Sequence, residues 1–212
     1  MAVETQIVVN PQQLAEATRL LADIPQGLPR AITRAVNTVA TSARAEIVRR
    51  VGARINVRQK DIREATVLQR ANFSNLTATV RVMGGRITLY RYGARWSRSQ
   101  PGASYQIRRA GGRVTAPQTF IAEMDSAHRG VFKRTGEFKI MRRGRYAGKR
   151  REMIQEKAGP SIPEAILGTR GPGIEELSKE VLDRKYAEKL AQKVDEQIGL
   201  LIERRGAGRA GT

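Results

Sequence analysis

LPRAITRAVNTVATSARAEIVRRV, residues 28–51, places Leu28, Ile32, Val36, Val39, Ala43, Ile47 and Val51 at three- and four-residue steps. Arg30, Arg34, Arg44, Arg49 and Arg50 lie off that line. Apolar residues at this period share one face of an α-helix, so the segment predicts a long amphipathic helix that must cover a second layer. The flanking segments supply that layer. Residues 5–9 read as a strand, Asn10-Pro11 as a break, and residues 12–24 as a helix with Leu14, Leu20, Leu21 and Ile24 on one stripe. A short helix is expected over residues 58–65. Strands follow at Val67, at 76–82 and at 86–92, and Met83-Gly84-Gly85-Arg86 reads as a hairpin turn that pairs the last two antiparallel.

Residues 93–118 are rich in Gly, Ser and Arg, with a strand expected over 104–109 and a turn at Ala110-Gly111-Gly112. Residues 119–124 read as a buried strand and 130–134 as another. From 134 to 151 the cations Lys139, Arg142, Arg143, Arg145, Lys149, Arg150 and Arg151 are interspersed with Gly136, Gly144 and Gly148. No apolar face is evident there, and a basic loop insert is the expectation. Gly159-Pro160-Ser161-Ile162-Pro163 reads as a rigid turn that starts a short helix through Leu167. A C-terminal helix is expected over residues 174–204, with Ile174, Leu177, Val181, Leu190, Val194, Ile198 and Leu201 as its seam, and residues 206–212 as a flexible tail. The expected fold class is α+β: long amphipathic helices on a mainly antiparallel sheet, in one domain over residues 1–205.

With 212 residues and 40% hydrophobic content the chain can bury one good core, built on aliphatic residues because aromatics are only 5%. It has no cysteine, which excludes disulfides, thiolate metal sites and a cysteine nucleophile. The start MAVETQIVVNPQQ lacks a basic segment followed by an apolar one, so no cleaved export signal is expected, and no stretch approaches a membrane span. The net charge of +19 calls for a polyanion or an acidic protein surface as partner, since the excess otherwise repels itself.

Catalytic chemistry finds little material. Gly144-Arg-Tyr-Ala-Gly148-Lys149-Arg150 has one residue too few for a phosphate loop and Arg150 where Ser or Thr must reach magnesium. Glu123 and Asp125 project from one face of a strand but lack a third ligand other than His128, and pairing with arginines is the plainer reading. His128 is the only histidine, so no His-His metal pair can be built. The serious candidates are arginine clusters: Arg91, Arg95 and Arg98; then Arg108, Arg109 and Arg113; then Arg142, Arg143, Arg145, Arg150 and Arg151. They read either as contacts to a polyanion such as DNA phosphate or as solvated faces beside acidic neighbours.

The run PGASYQIRRAGGRVTAPQTFIAEMDSAHRGVFKRTG, residues 101–136, followed by GPSIPEAI, residues 159–166, resembles the prophage minor tail protein Z family. The resemblance rests on Phe120-Ile121-Ala122 with Met124, on His128-Arg129-Gly130-Val131-Phe132, and on Gly159, Pro160, Ser161 and Pro163, in that order. Lys157-Ala158 stands before the turn where the family pattern has an aromatic. The resemblance implies a non-enzymatic virion protein without cofactor or metal, completing the tail at its head-proximal end. Its implied partners are the tail terminator, the head–tail connector and the tail tube or tape-measure end, in a homo-hexameric ring assembled in the bacterial cytoplasm, with DNA in the channel as a candidate contact. A free-standing nucleic-acid-binding protein and a metal-dependent nuclease are the rival classes.

Overall fold

The computed structural model describes residues 2–96, 101–169, 173, 174, 177 and 179–209. Its fold is α+β, with antiparallel sheets and a long C-terminal helix. The chain forms two compact units, Met1–Val51 with Ile62–Gly84 and Pro163–Thr212, and Gly52–Asp61 with Gly85–Ile162.

The decisive stretch lies inside helix α2 (Gly27–Arg54), which follows strand β1 (Ala2–Ile7) and helix α1 (Pro11–Leu20). Asn10 starts α1 by accepting the Gln12 amide at 2.9 Å on its side chain, and Pro11 fits the first turn, where no amide proton is needed. Helix α1 ends at Leu20 rather than at residue 24, and Ile24 instead closes the turn into α2 by accepting the Gly27 amide. On α2, Ile32, Val36, Val39 and Ala43 are 0% exposed and Ile47 is 3% exposed, as the periodicity requires. Ala31, Ala35 and Ala40 are buried beside them, so the buried stripe is broader than the large aliphatics alone suggest. Strand β3 (Ala78–Met83) pairs antiparallel with β1 on one edge and with β2 (Thr66–Gln69) on the other. Thr5, Ile7, Thr66, Ala78, Val80 and Val82 form the buried face, while Glu4 and Arg81, opposite in register, pair on the other at 2.8 Å. Helix α3 (Gln59–Ala65) leads into β2.

Polar contacts fasten the helices of this unit. The Asn37 amide donates to the Ala71 carbonyl at 3.0 Å and accepts its N–H at 2.9 Å, so one side chain imitates a strand partner. Helix α5 (Lys179–Arg209) meets α2 at Glu46, whose carboxylate receives Lys185 Nζ at 2.6 and 2.7 Å, the Tyr186 hydroxyl at 2.8 Å and Arg50 at 2.8 Å. Burial raises the Glu46 carboxyl, but these donors and the Lys185 charge outweigh it and hold the group at about 2. Burial and the hydrogen bond to Glu46 push the Tyr186 hydroxyl up. The seam of α5 is Leu182, Tyr186, Leu190, Val194 and Ile198, spaced by four. Val181, expected on that seam, is 41% exposed, because the line that meets the core runs one residue later. Helix α5 reaches Arg209, so the first residues of the expected tail are helical, and Thr212 lies outside the described residues, as do Gly171 and Pro172 ahead of the helix.

The expected hairpin between 76–82 and 86–92 does not form. Both edges of β3 are already taken, which leaves no room for residues 86–92 there. Within the second unit those residues make a single bridge, Thr88 to Ala158, and then a short 3-10 helix, Leu89–Tyr92. Strand β4 (Arg95–Trp96), β5 (Gly102–Tyr105) and β6 (Val114–Pro117) form one small antiparallel sheet in that order. The strand expected through residue 109 stops at Tyr105, and Arg108 adds one bridge to Ile55. Strands β7 (Thr119–Glu123), β8 (Arg129–Ile140) and β9 (Arg150–Glu156) form the other sheet. The basic insert expected as a loop over 134–151 is therefore strand at both ends and loop only between β8 and β9. Phe138 and Ile140 alternate with Lys139, and that period-2 pattern supports a strand despite the charge. Helix α4 (Ile162–Leu167) follows the turn at 159–161, as expected.

Candidate functional site

The residues of the Phe-led strand and the His-Arg-Gly strand come together as neighbours in the β7–β8 ladder. Phe120 is opposite Phe132, Ile121 opposite Val131 and Ala122 opposite Gly130. The two phenylalanine rings lie 6.2 Å apart, and Val131 and Phe132 are buried. Met124 is half-buried and starts the connecting turn, its amide donating to the His128 carbonyl at 2.8 Å. His128 is exposed; it sets its ring edge-on to Phe132 at 6.5 Å and places Nε2 2.8 Å from Glu156 Oε1. Gly130 is closely approached, since a Cβ there meets Glu156 Oε1 at 2.5 Å and Phe132 Cζ at 2.8 Å, so that both side-chain ends must shift to admit one.

Gly159-Pro160-Ser161 is gripped by a residue that lies outside the motif. Tyr92 is fully buried, donates its hydroxyl to the Pro160 carbonyl at 2.7 Å, and stacks its ring where a Gly159 Cβ would stand. The Gly159 amide donates to the Ile87 carbonyl at 2.8 Å. Ser161 and Pro163 are buried. Tyr92 reaches this turn from a distant segment, and spacing along the chain gave no sign of it.

The arginines separate into two kinds. Arg109 donates to the Gly52 carbonyl at 2.6 Å, and Arg113 donates to the carbonyls of Gly93 and Ser104 at 2.8 and 2.7 Å. Both guanidiniums are spent on backbone oxygens of their own unit. Arg108 is exposed and has a partner, Arg91 pairs with Asp61 at 3.0 Å, and Arg98 lies outside the described residues. Arg142 and Arg143, in contrast, are exposed with no hydrogen bond or ion pair among the described residues. Arg150 sits over the Phe138 ring at 5.0 Å, Arg151 over Tyr146 at 4.0 Å and Arg145 over Tyr146 at 5.7 Å. The loop is ordered by its own bonds, the Met141 amide donating to the Lys149 carbonyl at 3.0 Å and the Gly148 amide to the Met141 carbonyl at 2.8 Å. Residues 138–151 carry seven Lys and Arg and no Asp or Glu.

The expected pair of acids on one strand face does not form, because β7 ends at Glu123 and Asp125 lies in the turn after it; Glu123 pairs with Arg129 at 2.8 Å, and among the described residues no group of three His, Asp or Glu is placed to hold a metal. The Gly144 segment is followed by strand β9, where a phosphate loop requires a helix. Among the described residues no helix is long and apolar enough to cross a membrane.

These features define an α+β scaffold whose motif residues pack a hairpin root and whose free cations lie at the hairpin tip. The chain belongs to the prophage minor tail protein Z family, whose model matches residues 12–204. It is thus a structural protein of a phage tail, carried in the virion among other virion proteins. No curated protein and no solved structure matches it.

Proposed function

We propose that the protein is a non-enzymatic tail-completion protein, bound at the head-proximal end of the tail, where it supports head–tail joining and DNA passage. In this reading it forms a homo-hexameric ring in the neck, beside the tail terminator, the head–tail connector and the end of the tail tube or tape measure. It reaches that position after assembly in the host cytoplasm. The observation that supports the reading is the β8–β9 hairpin, an ordered projection with seven cations and no acid in residues 138–151. A projection of this kind suits a protein that holds on to a neighbour or a polyanion, and cations on a ring add up where single contacts are weak.

The test is complementation of a phage lacking this protein, scored by joined particles in micrographs and by DNA release onto cells. Replacing Arg142, Arg143, Arg145, Arg150 and Arg151 together with glutamine is expected to reduce joining or release while the purified chain stays folded. Normal joining and release by the five-fold variant would refute a role for the hairpin in completion. Free-standing DNA binding, the rival reading, predicts instead tight, salt-sensitive binding of duplex DNA by the isolated monomer.

A further inference from the structure

Beyond Lys133, β8 has β9 as its only strand neighbour among the described residues, since β7 pairs no further than that residue. The distal hairpin is a two-stranded ribbon with both edges open, an arrangement that is marginal alone in water and gains from a partner. Phe138 is 54% exposed and Ile140 69% exposed. Being two apart on a strand they share a face, and the register puts Glu152 and Arg150 opposite them on it. Two large apolar side chains held in water at the centre of a cationic ribbon mark a contact surface.

The chemistry of that surface separates its partners. Phosphate contact needs cations alone and gives Phe138 and Ile140 nothing to cover them. Base stacking needs open aromatic faces, yet Arg150 occupies one face of Phe138, and Arg151 and Arg145 sit over Tyr146. The same stacking holds guanidinium planes in fixed positions, which favours bidentate capture of carboxylates. A second copy of the arm brings like charge against like. Resting on the tail-protein reading, we infer that the distal β8–β9 hairpin is a docking arm for another virion protein, one whose surface sets Asp and Glu side chains around an apolar patch.

The experiment is photo-cross-linking in the assembled particle. A benzophenone amino acid at position 140 is supplied in the full chain to a phage lacking its own copy, and adducts in purified virions are sequenced by mass spectrometry. The expected adduct joins position 140 to an Asp- and Glu-rich peptide of a different virion protein. An adduct that nuclease removes, one joining two copies of this chain, or no adduct overturns the inference. The double change Phe138→Ser and Ile140→Ser, both on exposed positions, is expected to lower the amount of this protein retained in virions by about tenfold or more without moving its melting midpoint. Retention equal to that of the parent chain would also overturn it. Head–tail joining by the phage without the protein, scored in the same preparations, tests tail completion separately: full joining there refutes completion and leaves the docking result to stand or fall by itself.

Discussion

Gly130 is the point at which the hairpin root tolerates least. An added methyl must displace either the Glu156 carboxylate or the Phe132 ring, so Gly130→Ala is expected to cost about 1–3 kcal/mol and to break the His128–Glu156 pair. Denaturant titration checks this, and an unmoved midpoint would show that the hairpin root yields freely. Tyr92→Phe keeps the ring on Gly159 but leaves the Pro160 carbonyl without its buried donor, at an expected cost of about 1–2 kcal/mol. Glu46 adds a pH dependence. Its carboxyl stays ionised to about 2 in the folded chain against 4.5 ordinarily, so below pH 4.5 the unfolded chain takes up the proton first. The stabilisation is fully present above pH 4.5 and is lost as the pH falls toward 2, amounting to about 3 kcal/mol at most. Glu46→Gln should flatten the stability profile across that interval, and an equally steep profile in the variant would assign the acid loss to other groups.

Elements divide the arginines by what each guanidinium holds. Arg109→Ala and Arg113→Ala uncouple backbone carbonyls at Gly52, Gly93 and Ser104, and each is expected to lower stability by about 1 kcal/mol with little effect on phage joining. Arg142 and Arg143 hold nothing among the described residues, so their joint replacement should do the reverse. Melting curves and particle counts on the same three variants decide between this division and a uniform effect of charge. How the elements were encoded follows the same line between local and distant causes. Helix α2 was legible because its stripe is a local period, whereas Phe120, Gly130 and Phe132 were grouped by a family resemblance alone, and the pairing of β7 with β8 that makes them neighbours was not read from the sequence. The 86–92 segment was misread because only the occupancy of both edges of β3 forbids the hairpin, and that depends on β1, some seventy residues away. The basic strand ends of β8 and β9 were hidden because charge density masked the alternation at Phe138 and Ile140. Tyr92 was out of reach of any spacing argument, since its partners at 159 and 160 meet it only in the folded chain.

At the scale of the whole molecule the two compact units pose a question of cooperativity. Each unit is discontinuous in sequence, and the chain passes between them after Val51, Asp61, Gly84 and Ile162, the first time within the last turn of α2, which ends at Arg54. A unit built from separated segments must close loops over the segments in between, and the last turn of α2 loses intrahelical bonds if the second unit melts. We therefore propose that residues 1–205 unfold as one domain. The calorimetric and van't Hoff enthalpies should agree, and far-ultraviolet dichroism should change together with the fluorescence of Trp96, which sits in β4 of the second unit. The segment after residue 205, GAGRAGT, offers the core no side chain larger than alanine apart from Arg209 and Thr212. Its removal is expected to leave the transition in place, because Arg205, which pairs with Asp23 at 3.4 Å, and Ile198, the last buried residue of the α5 seam, are both retained. Two separate transitions, or a truncated chain that melts well below the parent, would show that the units are independent or that the tail belongs to the folded core.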